Sequence, residues 1–316
     1  MEPILNELAV QPSPGGDHDL DVRVRQLIDV LGALFQLGVM RILRSTRDAL
    51  ERPITAERTF GQWLADRRTL REEKRLLQAW LGKAPFVDEL LVANEPPDVV
   101  LEYRFQGRPC LGLGAAHLLE APAVSFLTDA RFAQDTVSVT RLRVDEESNE
   151  ESEDVHVHHY AAIDHVERRR DELRRGVFRE ILDGDEIWRR RKELFQRLDF
   201  CPQTERQLGE LHGRERYFRE ICRHLYTIDD ALVEWTEGEL SPGGITWSHE
   251  SRMTLNHGEY GAARRIQCHD GEVRTFSAHS KLRAANMRIY FFPLHATRRA
   301  LIGYIGRHLP TVDHPT

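Results

Sequence analysis

Residues Thr275–Leu309 read TFSAHSKLRAANMRIYFFPLHATRRALIGYIGRHL, and their spacing predicts three short strands. Thr275–Arg283 alternates, with Phe276, Ala278 and Leu282 on one side and Ser277, His279, Lys281 and Arg283 on the other. Ala284-Ala285-Asn286 supplies a tight connection. Met287–Phe292 puts Met287, Ile289 and Phe291 on one face and Arg288 and Tyr290 on the opposite one. Pro293 is expected to end that strand, because proline has no N–H for a ladder. Ala300–His308 places Leu301 and Ile305 on one face and Tyr304 and His308 on the other. Paired as a meander, these strands would gather His279, Lys281, Arg283, Arg288, Tyr290, Tyr304 and His308 on one cationic, aromatic, titratable face. No acidic residue interrupts the polar positions from Ser277 to Arg288. The alternative is an ordinary wet sheet face, since antiparallel sheets commonly bury only one side.

The chain has 316 residues, 41% hydrophobic and 30% charged, which suits a soluble globular protein of two or three domains. A net charge of −7 argues against non-specific nucleic-acid binding by the whole chain. From Ile245 onward the balance reverses, with ten Lys and Arg against five Asp and Glu, and seven of the fifteen His fall there. Lysine is confined to Lys74, Lys83, Lys192 and Lys281. Cys110, Cys201, Cys222 and Cys268 form no C-x-x-C pair and no dense framework, which points to idle thiols in a reducing cytoplasm. The first residues lack a basic region followed by an apolar core, so no signal peptide is expected. Val24–Leu43 is the most apolar window, but Arg25, Gln26, Asp29, Gln36 and Arg41 interrupt it, so a buried amphipathic helix is expected and no membrane span.

Residues 1–19, with Pro12, Pro14, Gly15 and Gly16, read as a flexible tail. Helices are expected over Asp21–Leu37, after Ser45, and over Ala56–Trp63 and Thr69–Trp80. Strands are expected at Val99–Phe105, Cys110–Leu113, Pro122–Leu127, Thr136–Val144 and Val155–Tyr160. Gly112-Leu113-Gly114 resembles half of a phosphate-binding loop, but without a third glycine or a Lys-Ser/Thr pair it reads as a turn before a short helix. Asp145–Asp154, DEESNEESED, is an acidic stretch suited to a hairpin tip. His156 and His158 would share a strand face, an acceptable geometry for two metal ligands with no third specified.

Ala161–Leu240 is helical and highly charged, including Arg168–Arg170 and Arg189–Arg191, which fit solvated faces laced with opposite charge. Leu240-Ser241-Pro242-Gly243-Gly244 is the preferred boundary. Beyond it, Ser248–His257 is expected as a short helix, and Arg264–His269 as a strand entering an Asp270-Gly271 hairpin turn. The expected fold class is therefore α+β. It comprises the tail (1–19), a mixed α/β N-terminal domain (20–160), a helical region (161–240) and a small antiparallel β domain (241–316).

The order of features in Arg264–Leu309 resembles the RelE/ParE toxin superfamily. Members carry a small antiparallel sheet with His/Tyr-x-Lys/Arg-Leu, a short turn, Arg-aliphatic-x-Phe/Tyr and a last aliphatic strand. The matching positions are His279, Lys281 and Leu282; Arg288, Ile289, Tyr290 and Phe291; and Leu301–Ile305. The resemblance implies metal-independent endoribonuclease chemistry, in which the RNA 2′-hydroxyl attacks and a 2′,3′-cyclic phosphate forms. It casts His279 and His308 as acid and base, Lys281, Arg283 and Arg288 as phosphate ligands, and Tyr290 as a stacking or proton-sharing group. Family toxins are usually short and free-standing, unlike this chain, and some members only bind. One reading is thus a bacterial, cytoplasmic, RNA-acting protein whose toxin-like domain is controlled by the N-terminal region, with no cofactor or metal. A second is a non-catalytic subunit that binds nucleic acid or a protein partner. A third is a metal enzyme using His156 and His158.

Overall fold

Ile4 and Leu5 are almost fully buried, and this burial decides the fate of the N-terminus. In the computed structural model, which describes residues 1–13, 15–66, 68–83, 86–89, 99–145 and 150–314, they form strand β1 (Ile4–Leu5), parallel to β4 (Ala123–Val124). The expected flexible tail is therefore part of a core: two apolar residues in an extended segment gain more by completing a sheet than by remaining in water. The chain divides into two compact units, Met1–Phe35 with Val39–Leu173, and Gln36–Gly38 with Arg174–Thr316. No described helix is long and apolar enough to cross a membrane.

In the first unit, helix α1 (Gly16–Gln36) buries Leu20, Val24, Leu27, Leu31 and Leu34 at helical spacing. Short helices α2 (Arg47–Glu51), α3 (Phe60–Ala65) and α4 (Arg71–Leu81) follow. Thr59 and Gln62 form a reciprocal capping box that starts α3 four residues later than its apolar pattern begins. The sheet runs β1-β4-β6-β5-β2-β3, with β2 Val99–Phe105, β3 Arg108–Pro109, β5 Thr136–Asp145 and β6 Glu150–Tyr160. The acidic stretch is thus mostly strand: Glu151 and Glu153 lie opposite Arg143 and Arg141, and these pairs offset the charge. Residues 146–149 lie outside the described residues. The strand expected at Cys110–Leu113 is instead the start of helix α5 (Leu111–Leu118). Its glycines serve packing: a Cβ on Gly114 would lie 2.5 Å from the Tyr103 ring, and one on Gly112 would lie 2.5 Å from the Glu7 carboxylate. Helix α6 (Ile163–Arg168) ends the unit.

The second unit contains α7 (Arg170–Glu180, which begins in the first unit), α8 (Gly184–Leu194), α9 (Gln203–Gly209) and α10 (Arg216–Glu234). Buried Arg174 donates to Asp229 Oδ2 at 2.8 Å and to Leu194 O at 2.6 Å. Asp229 also accepts from the backbone of Gln196 and Arg197, so one ion pair fixes the entry to strand β7 (Leu198–Phe200). The five-stranded sheet runs β7-β13-β12-β11-β8, with β8 Trp247–His249, β11 Ala278–Lys281, β12 Met287–Leu294 and β13 Arg299–Arg307. Because β7 lies before residue 240, the expected separation into 161–240 and 241–316 does not hold: the helices and the strands share one unit. Of the helix expected over Ser248–His257, Ser248 and His249 are instead the end of β8, and Arg252–Asn256 is helix α11, followed by α12 (Gly258–Ala262). Strands β9 (Arg265–Gln267) and β10 (Val273–Thr275) form their own hairpin, turning at Gly271 with φ +83°.

Two details of the meander depart from simple alternation. Pro293 sits inside β12, opposite Ala300. The Ala300 N–H donates to Arg197 O on the β7 side, so this is a non-hydrogen-bonded pair and the missing proline N–H faces the edge beyond the end of β11. Gly303 is an extra residue between the Tyr290–Tyr304 and Phe291–Ile302 pairs. This bulge moves Leu301 onto the face of Tyr304 and puts Ile302 with Ile305 in the core. A Cβ on Gly303 would lie 2.5 Å from the Phe276 ring.

Glu7 carries a consequence for stability. It is buried, it accepts from Gly112 N at the start of α5, and burial pushes its carboxyl up from 4.5 to about 7. The folded state then binds more protons than the unfolded state, so stability is full below pH 4.5 and is lost as pH rises through 7. We expect Glu7→Gln to flatten that dependence and to raise stability at pH 8, by about 3 kcal/mol at most. Urea midpoints measured from pH 4 to pH 8 check this, and a parallel pH profile in the variant would contradict it.

Candidate functional site

Strand register brings most of the expected face together. His279 lies opposite Tyr290, Lys281 opposite Arg288, and Tyr290 opposite Tyr304. Ser248 on β8 extends the row beside His279. His308 follows β13, and its N–H donates to Asn286 O at 2.9 Å. Arg283 is not on the strand face. It lies on the β11–β12 connection, which Glu220 anchors by accepting from the backbone N–H groups of Arg283 and Ala284, each at 3.0 Å.

The face is built around a carboxylate absent from the sequence-based expectation. Glu250 leaves β8 with its side chain 5% exposed and accepts from the Tyr290 hydroxyl at 2.6 Å and Arg264 Nη2 at 2.8 Å. His279 Nδ1 lies 3.8 Å from the same oxygen. Burial raises the Glu250 carboxyl most strongly, but the Tyr290 and Arg264 hydrogen bonds and the Arg264 charge outweigh it and hold it below its ordinary range. Arg264, fully buried, also donates to the carbonyls of Tyr260 and Pro310 at 2.8 and 2.9 Å. Alternation through Trp247-Ser248-His249-Glu250 was the available signal for this strand. The partnership with Arg264 and Tyr290 spans 14 and 40 residues, and no local pattern encodes it.

The residues divide into buried and accessible groups. Tyr290 is fully buried, its hydroxyl given to Glu250, so its ring offers no stacking surface for a base. His279 is 3% exposed, with its Nε2 3.4 Å from Ser248 Oγ. Burial, together with the charges on Lys281 and Arg288, lowers its imidazole well below the usual histidine value and leaves it neutral at pH 7. Lys281, Arg288, Tyr304 and His308 are half-buried. The His308 imidazole is lowered first by burial and then by the Arg288 charge. Arg288 Nη1 donates to Met287 O, while its Nε is buried with no acceptor among the described residues. Gly306 stands opposite Arg288, and Tyr304 lies over that glycine with its hydroxyl donating to Arg307 O.

Two like charges directly opposite on neighbouring strands destabilise a sheet. Here Lys281 faces Arg288, and the nearby buried carboxylate is already engaged by Arg264 and Tyr290. The patch can therefore hold an oxyanion and accept a proton on a neutral imidazole. His156 and His158 do share a face of β6, but among the described residues no group of three or more His, Cys, Asp and Glu could hold a metal ion. The His158 Nε2 instead lies 2.9 Å from Glu172.

No known protein-family model, curated protein or solved structure matches this chain.

Breaking the buried pair tests the construction of the site. Glu250→Gln keeps the shape but leaves Arg264 uncompensated, and should destabilise the protein by about 3–5 kcal/mol. Glu250→Leu combined with Arg264→Met should recover much of that loss. Urea unfolding followed by circular dichroism reads both, and a change below about 1 kcal/mol in Glu250→Gln would show the pair to be dispensable.

Proposed function

We propose that the second unit acts on RNA, as a metal-independent endoribonuclease that leaves 2′,3′-cyclic phosphate ends, through the patch of Lys281, Arg288 and His308. The observation that supports this reading is the cross-strand pair of Lys281 and Arg288, two half-buried cations with no acid between them. Such a pair lowers fold stability and gains from a phosphate placed over it. In the resulting reaction, neutral His308 takes the 2′-hydroxyl proton, the 2′-oxygen bonds to phosphorus, and the bond to the 5′-oxygen breaks. Lys281 and Arg288 stabilise the charge that develops on the phosphorane. The 5′-oxygen leaves with a proton from Lys281 or from water. His279, neutral and packed behind the patch, positions the row and accepts from Ser248.

The burial of His279 and Tyr290 favours a second reading, in which the same patch binds nucleic acid without cleaving it. A cleavage assay of the full chain with single-stranded RNA in EDTA separates the two. Cyclic-phosphate ends should form, and Lys281→Ala, Arg288→Ala and His308→Ala should each slow cleavage by about 10²–10⁴-fold. Because the His308 imidazole is lowered, the rate should rise with pH and level off below the ordinary histidine value of about 6.5. RNA retained by the protein but uncut, with retention lost in Lys281→Ala, would establish binding in place of catalysis.

A further inference from the structure

The first unit holds a cleft of about 200 Å³ lined by Leu64, Asp66, Arg71, Lys74, Arg75 and Gln78. Four of these residues lie at positions i, i+3, i+4 and i+7 of α4, so they form one face of that helix. The cleft is cationic in a chain whose net charge is −7. Asp66 is its one lining carboxylate among the described residues, and Arg58 at 2.6 Å and Arg68 at 2.9 Å already engage it. Lys74 is 2% exposed, with its ammonium 4.3 Å from the Trp63 ring centre and donating to the Asp66 backbone carbonyl at 2.9 Å. Burial lowers the Lys74 ammonium, the Asp66 and Asp21 carboxylates oppose that shift, and the charges on Arg58 and Arg68 add to it.

Arg71 and Arg75 are exposed and have no acceptor among the described residues. Of the two acids in the first turn of α4, Glu73 is paired with Arg25 and Glu72 does not line the cleft. The N-cap residue of α4 is Leu70, at φ 47°, which offers no side-chain acceptor to the first turn. The volume, about 200 Å³, is several times the roughly 30 Å³ share of one water molecule, and so admits two linked tetrahedral groups.

We propose that this cleft binds a diphosphate group of the kind carried by a nucleoside diphosphate, held by Arg71, Lys74 and Arg75. Two arginines on successive turns present planar donor forks suited to phosphate oxygens, and the lysine supplies a fixed charge at the floor. The site lies in the other unit from the C-terminal sheet and does not depend on the reading of that sheet.

Calorimetric titration of the full chain at constant ionic strength tests the proposal, with pyrophosphate, inorganic phosphate, adenosine diphosphate and adenosine as probes. Pyrophosphate and adenosine diphosphate should bind and compete with each other. Inorganic phosphate should bind at least about tenfold more weakly than pyrophosphate, a difference of about 1.4 kcal/mol, and adenosine should not bind. Arg71→Ala and Arg75→Ala, both at exposed positions that leave folding intact, should each weaken pyrophosphate by about tenfold or more. Absence of pyrophosphate binding, or equal binding by the double alanine variant, would overturn the proposal. Adenosine binding as tightly as its diphosphate would also overturn it, by placing recognition on the nucleoside.

Discussion

The Glu250 carboxylate is the constraint on which the C-terminal sheet depends. One of its oxygens accepts from both Arg264 and Tyr290, and Arg264 continues to the backbone of Tyr260 and Pro310. The exit of β8, the end of α12, the middle of β12 and the segment after β13 are thereby joined through one ion pair. A charge buried this deeply is tolerated only when fully paired, so these segments have little freedom to move independently. The row of Ser248, His279, Tyr290 and Tyr304 is fixed by the same contacts, and the Lys281–Arg288 row follows two residues along the strands, on the same face.

That arrangement separates support from contact. Tyr290 and His279 are interior groups whose polar atoms are committed to neighbours. Lys281, Arg288 and His308 stand nearer solvent, and burial first, then the nearby cationic charge, lowers both imidazoles. A phosphate placed over the cations would relieve their repulsion, while the neutral imidazoles retain the capacity to accept a proton. Cationic charge in the first unit follows a different plan: Asp66 gathers arginines at a helix start, with no imidazole among the described residues of the lining.

Alternation alone carried the faces of the meander strands, because a period of two specifies which side chains share a face. That His279, Lys281, Arg288 and Tyr290 share a face was legible for that reason, while the pairing of His279 with Tyr290 and of Lys281 with Arg288 comes from the strand register. The face of Leu301 was not, because a single bulge residue, Gly303, reverses parity beyond it. Pro293 ended a strand only on the assumption that its N–H would face a partner, and in β12 it faces an edge. Gly112 and Gly114 gave a turn signal, yet close approach to Glu7 and Tyr103 is their use, and a sequence does not show such an approach. Glu250 and Arg264 were missed for the same reason, since their value lies in a contact between separate elements. The boundary expected near residue 240 followed Pro and Gly composition, but β7 joins the helical segment to the sheet by parallel pairing with β13.

The central claim is that Lys281 and Arg288 together receive phosphate. The most direct measurement is the salt dependence of binding by a 2′-O-methyl RNA oligonucleotide, which cannot be cleaved, to the intact chain and to the Lys281→Ala/Arg288→Ala variant. Each phosphate contact on a single strand contributes about 0.7 to the slope of log affinity against log salt, so the double variant, which loses the one phosphate shared by the two cations, should bind more weakly with a slope shallower by about 0.7. Equal affinity and an unchanged slope would contradict the account, because the two facing cations would then have no part in holding RNA.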